Sequence, residues 1–232
     1  MEIIVARTFS SLYIYLDLIW LAAYVLILLF FKRRLALLAG LAAGVIYFLV
    51  DYGIFYLVLG TRVVQGADPF WLLLWLSFSY GLTNLAWIWL LLDRDGYAIE
   101  WSLLTISGWV GVALLSQNFG VNFPQISILR GTNSYHGIMA LILIAGYLYL
   151  IIRNLRAKDT GAERVNLLWL LVIGIGVQLS WELVLLISGI RPTSLFPLLV
   201  NSLVETNLGM PYFYLIHEKV TRHFKEDLKR LN

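Results

Sequence analysis

Seven long apolar runs, separated by short polar breaks, organise the chain: residues 11–31, 36–59, 70–92, 99–117, 134–153, 166–189 and 195–216. A helix rises 1.5 Å per residue, so roughly 20 apolar residues cross a bilayer core. The breaks carry turn chemistry: Lys32-Arg33-Arg34, Gly66-Ala67-Asp68-Pro69, Asp93-Arg94-Asp95-Gly96, Arg156–Arg164 and Gly189–Pro192. The longest connection, 118–133 (NFGVNFPQISILRGTN), is too short and too polar to span, and reads as a re-entrant or interfacial lid. The pattern predicts an all-α, polytopic membrane protein with seven transmembrane helices. They form one domain over 1–216, followed by a basic tail over 217–232.

Composition sharpens this. The chain is 60% hydrophobic and 13% charged, with a mean hydropathy of +0.81; soluble domains are about half apolar and a quarter charged. The absence of cysteine excludes disulfides, thiolate catalysis and Cys-based metal sites. The N-terminus MEIIVARTFS lacks the basic segment and small-residue site of a cleaved signal, so the first span is expected to direct insertion. The host is expected to be a bacterial cytoplasmic membrane, or the endoplasmic reticulum in a eukaryote.

Lys and Arg mark the cytoplasmic side of short loops. With the N-terminus outside, the inner side collects Lys32, Arg33, Arg34, Arg94, Arg153, Arg156, Lys158, Arg164 and the five basic residues of the tail. The outer side keeps only Arg7, Arg62, Arg130 and Arg191. The bias predicts N-out, C-in. The net charge of +3 thus reflects topology, and no nucleic-acid partner is expected. The tail HEKVTRHFKEDLKRLN reads as a cytoplasmic helical extension in reach of membrane lipid.

Four acids interrupt the apolar runs: Asp17, Asp51, Glu182 and Glu205. An intramembrane carboxyl group costs about 2.5–3.5 kcal/mol at a helix centre on insertion scales, so its default reading is functional. Counting along each span, Asp51, Glu182 and Glu205 lie about 10–15 Å from the outer end. Asn201 and Gln178 fall one turn from Glu205 and Glu182 on the same faces. Asp17, near the outer end of its span, reads as an interfacial cap. Tyr47, Phe48, Phe55, Phe78, Tyr80 and Trp181 surround the three deeper acids. Most are too deep for an interfacial belt, and with Asn201 they are the candidate substrate-binding residues. A cavity of π faces and carboxyl groups suits a cation or a developing carbocation.

Two segments echo one another. Leu82-Thr83-Asn84-Leu85 and Glu205-Thr206-Asn207-Leu208 each follow a span with an acid, Asp51 or Glu182, and an outer loop with an arginine, Arg62 or Arg191. Both pairs run the same way, which suggests a parallel internal repeat with a site between its halves.

Several chemistries are excluded. The seventh span has no lysine for a retinal Schiff base, and no G-x-S-x-G, H-E-x-x-H or DDxxD-like motif occurs. His136, His217 and His223 divide between opposite sides of the membrane, so neither a metal nor another cofactor is expected.

Asp51 in YFLVDYGIFY, Glu205 in NSLVETNLGMPY and Ser180-Trp181-Glu182 carry a resemblance across the whole length. The chain resembles the small seven-helix integral-membrane terpene cyclases of meroterpenoid and indole-diterpenoid biosynthesis. That family carries one essential acid in the second helix, usually Glu, and one in the last, usually Asp; here the two are exchanged. The resemblance implies an isomerase- or lyase-type enzyme that protonates an epoxide or alkene on a prenylated lipophilic substrate and directs cationic ring closure without metal. Asp51 and Glu205 would be the catalytic acid and terminating base, with Glu182 a third candidate; the more aromatic surroundings of Asp51 favour it as donor, and the order of the two stays open. Burial favours the protonated form of a carboxyl group, as a general acid requires. The alternative is a small transporter or a lipid- or cation-binding receptor that uses the same acids.

Overall fold

The computed structural model describes residues 4–131, 136–160, 164–192 and 206–230. By internal packing the chain divides into two compact units, Met1–Asn133 with Ser180–Leu195, and Ser134–Leu179 with Phe196–Asn232. Among the described residues, six helical stretches are long and apolar enough to cross a membrane: Ser11–Phe30, Arg34–Val58, Pro69–Leu92, Ala98–Phe119, Ala140–Ala157 and Leu167–Ile187. Of the seventh expected span, 195–216, the part before residue 206 lies outside the described residues. The rest belongs to a helix, Thr206–Arg230, that runs on unbroken past 216.

In the first unit, α1 (Ser11–Phe30) turns through Lys32, which takes φ 58°. Arg33 then reaches Asp95 at 2.5 Å. Helix α2 (Arg34–Phe48) widens into a π-helical stretch over Leu49–Val58. Helix α3 (Pro69–Tyr80) starts where the sequence says it should: Asp68 caps it by accepting from the Trp71 amide at 3.1 Å, and Pro69 fills the first turn. A second π turn, Gly81–Leu85, joins α3 to α4 (Ala86–Leu92), and α5 is Ala98–Phe119. π-helical turns are rare and gather at functional sites. Here one holds Asp51 and the other Thr83 and Asn84.

The second π turn presses against α2 through glycine. A Cβ on Gly81 would lie 2.6 Å from the Gly44 amide nitrogen and 2.8 Å from its Cα. Small residues let helix backbones approach this closely in membranes. Gly81→Ala is therefore expected to cost about 1–3 kcal/mol through overpacking. Gly111→Ala, where a Cβ meets nothing within 4 Å, should be neutral or slightly stabilising. Thermal unfolding in detergent compares the two; equal shifts would contradict the packing.

The fold is not purely helical. Three strands, β1 (Ile4–Ser10), β2 (Arg62–Gln65) and β3 (Gln125–Arg130), form an antiparallel sheet in the order β1-β3-β2. The predicted lid segment thus contributes the central strand. The Thr8 amide extends the structure to the Ile190 carbonyl at 2.8 Å, tying β1 to the turn after helix α7 (Leu167–Ile187). Gly189, at φ 74°, makes that turn.

The second unit packs α6 (His136–Thr160) against α8 (Thr206–Arg230). Gly146 admits Pro211 at 3.0 Å from its would-be Cβ. The Tyr147 hydroxyl donates to Asn207 Oδ1 at 3.4 Å. Arg153 forks onto Glu218 at 2.6 and 2.5 Å; this bond, more than the Coulomb attraction alone, holds the Glu218 carboxyl below its ordinary range.

Candidate functional site

Residues directly opposite in an antiparallel pair share a face, as do residues two apart in one strand. Arg62 faces Arg130, Arg7 faces Ile128 and Phe9 faces Ile126. One face of the sheet therefore carries three arginines among apolar side chains. Arg7 and Arg62 are each 7% exposed, and Ile126 and Ile128 are buried. Arg191, also buried, comes from the turn beside β1. The four basic residues that the topology argument places outside are these four.

Two acids answer them. Asp51, 1% exposed, pairs with Arg62 through Oδ1, while among the described residues its buried Oδ2 accepts no hydrogen bond. Glu182, fully buried, takes Arg191 on both oxygens, with the hydrogen bond at 2.9 Å and the ion contact at 2.6 Å. The pairs belong to one electrostatic cluster. Arg130 lies within reach of both Arg7 and Arg62, Arg7 is within reach of Glu182, and Tyr47 interacts with both Arg7 and Arg62. Burial first, then Arg130, pushes the Arg62 guanidinium down to about 10, against the upward pull of Asp51. Burial and Arg130 likewise lower Arg7, with Glu182 opposing.

Asp17 is the finding the sequence did not announce. The interfacial-cap reading is wrong: its carboxyl group is 1% exposed and accepts from Trp75 Nε1 at 2.8 Å, with the Ser79 hydroxyl as a second partner. Tyr13, one turn earlier on α1, packs with Phe9 and Trp75 at ring separations of 5.2 and 5.9 Å. Tyr13, Trp75 and Ser79 line a small cavity with Arg7, Trp181 and Ile190. It holds about 10 Å³, the space of roughly one water-sized group. Comparison with protein-family models, curated proteins and solved structures finds no match for this chain.

The predicted aromatic lining divides. Trp181 borders the cavity, lies 4.9 Å from Trp109 and receives the Arg7 guanidinium over its ring at 5.6 Å. Tyr47 and Tyr80 pack at 4.6 Å, joining α2 to α3 near the cluster. Phe55 lies beneath Arg62, 5.8 Å from its guanidinium. Phe78 fills the space over Gly44, 3.1 Å from its would-be Cβ. Phe48 instead begins a stacked ladder with Tyr52 and Tyr56, edged by the exposed Phe70, which is the arrangement of a surface belt. Asn201 and Glu205 lie outside the described residues. Among the described residues, no three His, Cys, Asp or Glu side chains gather as metal ligands.

A sequence signal for the arginine cluster did exist. The four arginines sit singly near the ends of apolar runs, two of them nine to eleven residues after an acid. For Asp17 the signal was an aromatic at i−4, Tyr13, which cannot by itself distinguish a buried carboxyl group from a capped helix end.

Proposed function

We propose that the protein is a membrane-embedded terpene cyclase that protonates an epoxide or alkene of a polyprenyl chain and guides the resulting cation through ring closure. The observation that carries this reading is Asp17: a buried carboxyl group held by one indole N–H and one hydroxyl, among aromatic rings, with no arginine bridged to it. Asp17 gives the first proton. A carboxylate bridged to a guanidinium has no proton to donate, so Asp51 moves from donor to acceptor. Its Oδ2, without a hydrogen-bond partner among the described residues, takes the terminating proton or faces the developing cation. Glu182, engaged on both oxygens by Arg191, anchors the α7 turn. Glu205 remains a second acceptor candidate. A polyprenyl chain is long enough to meet donor and acceptor at separate points.

The reading also includes an N-out, C-in topology with seven spans, the sheet lying on the outer side. It includes a parallel repeat as well. Asp51–Arg62 and Glu182–Arg191 are matching acid–arginine pairs, and Asn84 and Asn207 are both buried. The cation-binding alternative loses support, because Asp51 and Glu182 already carry a guanidinium each.

The test is direct. Purified protein in detergent with chelator, given an epoxide-bearing polyprenyl arene, should yield a product of unchanged mass and shifted retention. An unchanged substrate across a panel of chain lengths, with folded protein, would count against cyclisation.

A further inference from the structure

Arg7 is buried, yet among the described residues its Nε finds no acceptor, and it borders the cavity beside Tyr13 and Ser79. Glu182, the carboxylate that acts on Arg7, is committed to Arg191. Trp181 offers Arg7 only its ring face. Burying a guanidinium without a matched acceptor costs several kcal/mol. A planar guanidinium fork is the side chain best suited to carboxylate and phosphate. The cavity's volume takes one oxygen of such a group.

We infer that Arg7 binds the oxyanion head of a lipophilic ligand, a carboxylate or phosphate, beside the apolar cavity side chains Phe9, Leu76, Leu185 and Ile190. The inference goes beyond the cyclase reading. There the oxyanion is the end of the substrate that is not protonated, but binding is measured without turnover, so either reading can fail alone.

The probes are dodecyl phosphate, dodecanoate, dodecanol and inorganic phosphate. Each is titrated calorimetrically into the full chain in a neutral detergent. Dodecyl phosphate or dodecanoate should bind at least tenfold more tightly than dodecanol, and tenfold more tightly than inorganic phosphate. Arg7→Gln should remove that preference at least tenfold, and Arg7→Lys should recover part of it, since charge returns without the fork. Equal binding of dodecanol and both anionic probes by the native chain would overturn the inference whether or not the variants fold. So would an anion preference undiminished in folded Arg7→Gln. Inorganic phosphate binding as tightly as the chain-bearing anions would overturn the lipophilic part and leave a site for a free anion.

Discussion

Arg62→Met and Arg191→Met should each cost about 3–5 kcal/mol of stability, because each strands a buried carboxylate. Asp51 is 1% exposed and Glu182 is fully buried, so water cannot replace the lost guanidinium. The two ends of each pair also lie on different elements. Arg62 opens β2 while Asp51 lies in the π stretch before it, and Arg191 holds the turn that receives β1. Losing either pair therefore loosens the sheet as well as the helix. The double variants Asp51→Asn/Arg62→Met and Glu182→Gln/Arg191→Met should recover most of the loss, since replacing a whole buried ion pair is often near neutral. Thermal unfolding with a fluorescence readout, run as a double-mutant cycle, measures the coupling. Single arginine variants as stable as the native chain would show the pairs to be solvated and dispensable.

Asp17→Asn should lower turnover by about 10²–10⁴-fold, the usual contribution of a positioned general acid. The amide keeps an oxygen for Trp75 Nε1 and a similar volume, so folding should survive; it lacks the proton. Asp51→Asn should also reduce turnover, but it leaves Arg62 without its anion, so it should lose stability too. Glu182→Gln should act on stability first. This separation of effects distinguishes the donor from the ion-paired acids. A fully active Asp17→Asn variant would pass the proposed donor role to Glu205.

The helices were legible because hydrophobic run length is a one-dimensional signal. Among the described residues, six of the seven expected runs correspond to helices long and apolar enough to span. Caps such as Asp68-Pro69 were equally local. The sheet was not legible, for a physical reason. Its strands have only four to seven residues and abut apolar runs, and β1 pairs with β3 roughly 120 residues later, as Thr8 with Ser127. No short-range pattern encodes such a pairing. The same distance hid the arginine cluster. Arg7, Arg62, Arg130 and Arg191 read as topology markers until the strand register put three of them on one face. Phe48 reads from sequence as a deep cavity residue, whereas it stacks on Tyr52 beside the exposed Phe70. Asp17 was misread because depth along a span counts only distance from its end. Trp75 of α3 donates to the carboxyl group, and Phe9 of β1 and Tyr13 of α1 pack against that indole.

The most direct measurement compares lipid extracts by chromatography and mass spectrometry. The extracts come from cells fed a polyprenyl epoxide and expressing equal amounts of the native chain, Asp17→Asn or Asp17→Glu. The account predicts a new isobaric product with the native chain, a loss of at least about 100-fold with Asp17→Asn, and partial recovery with Asp17→Glu. Identical extracts from native and Asp17→Asn cells, with both proteins folded in the membrane, would contradict it.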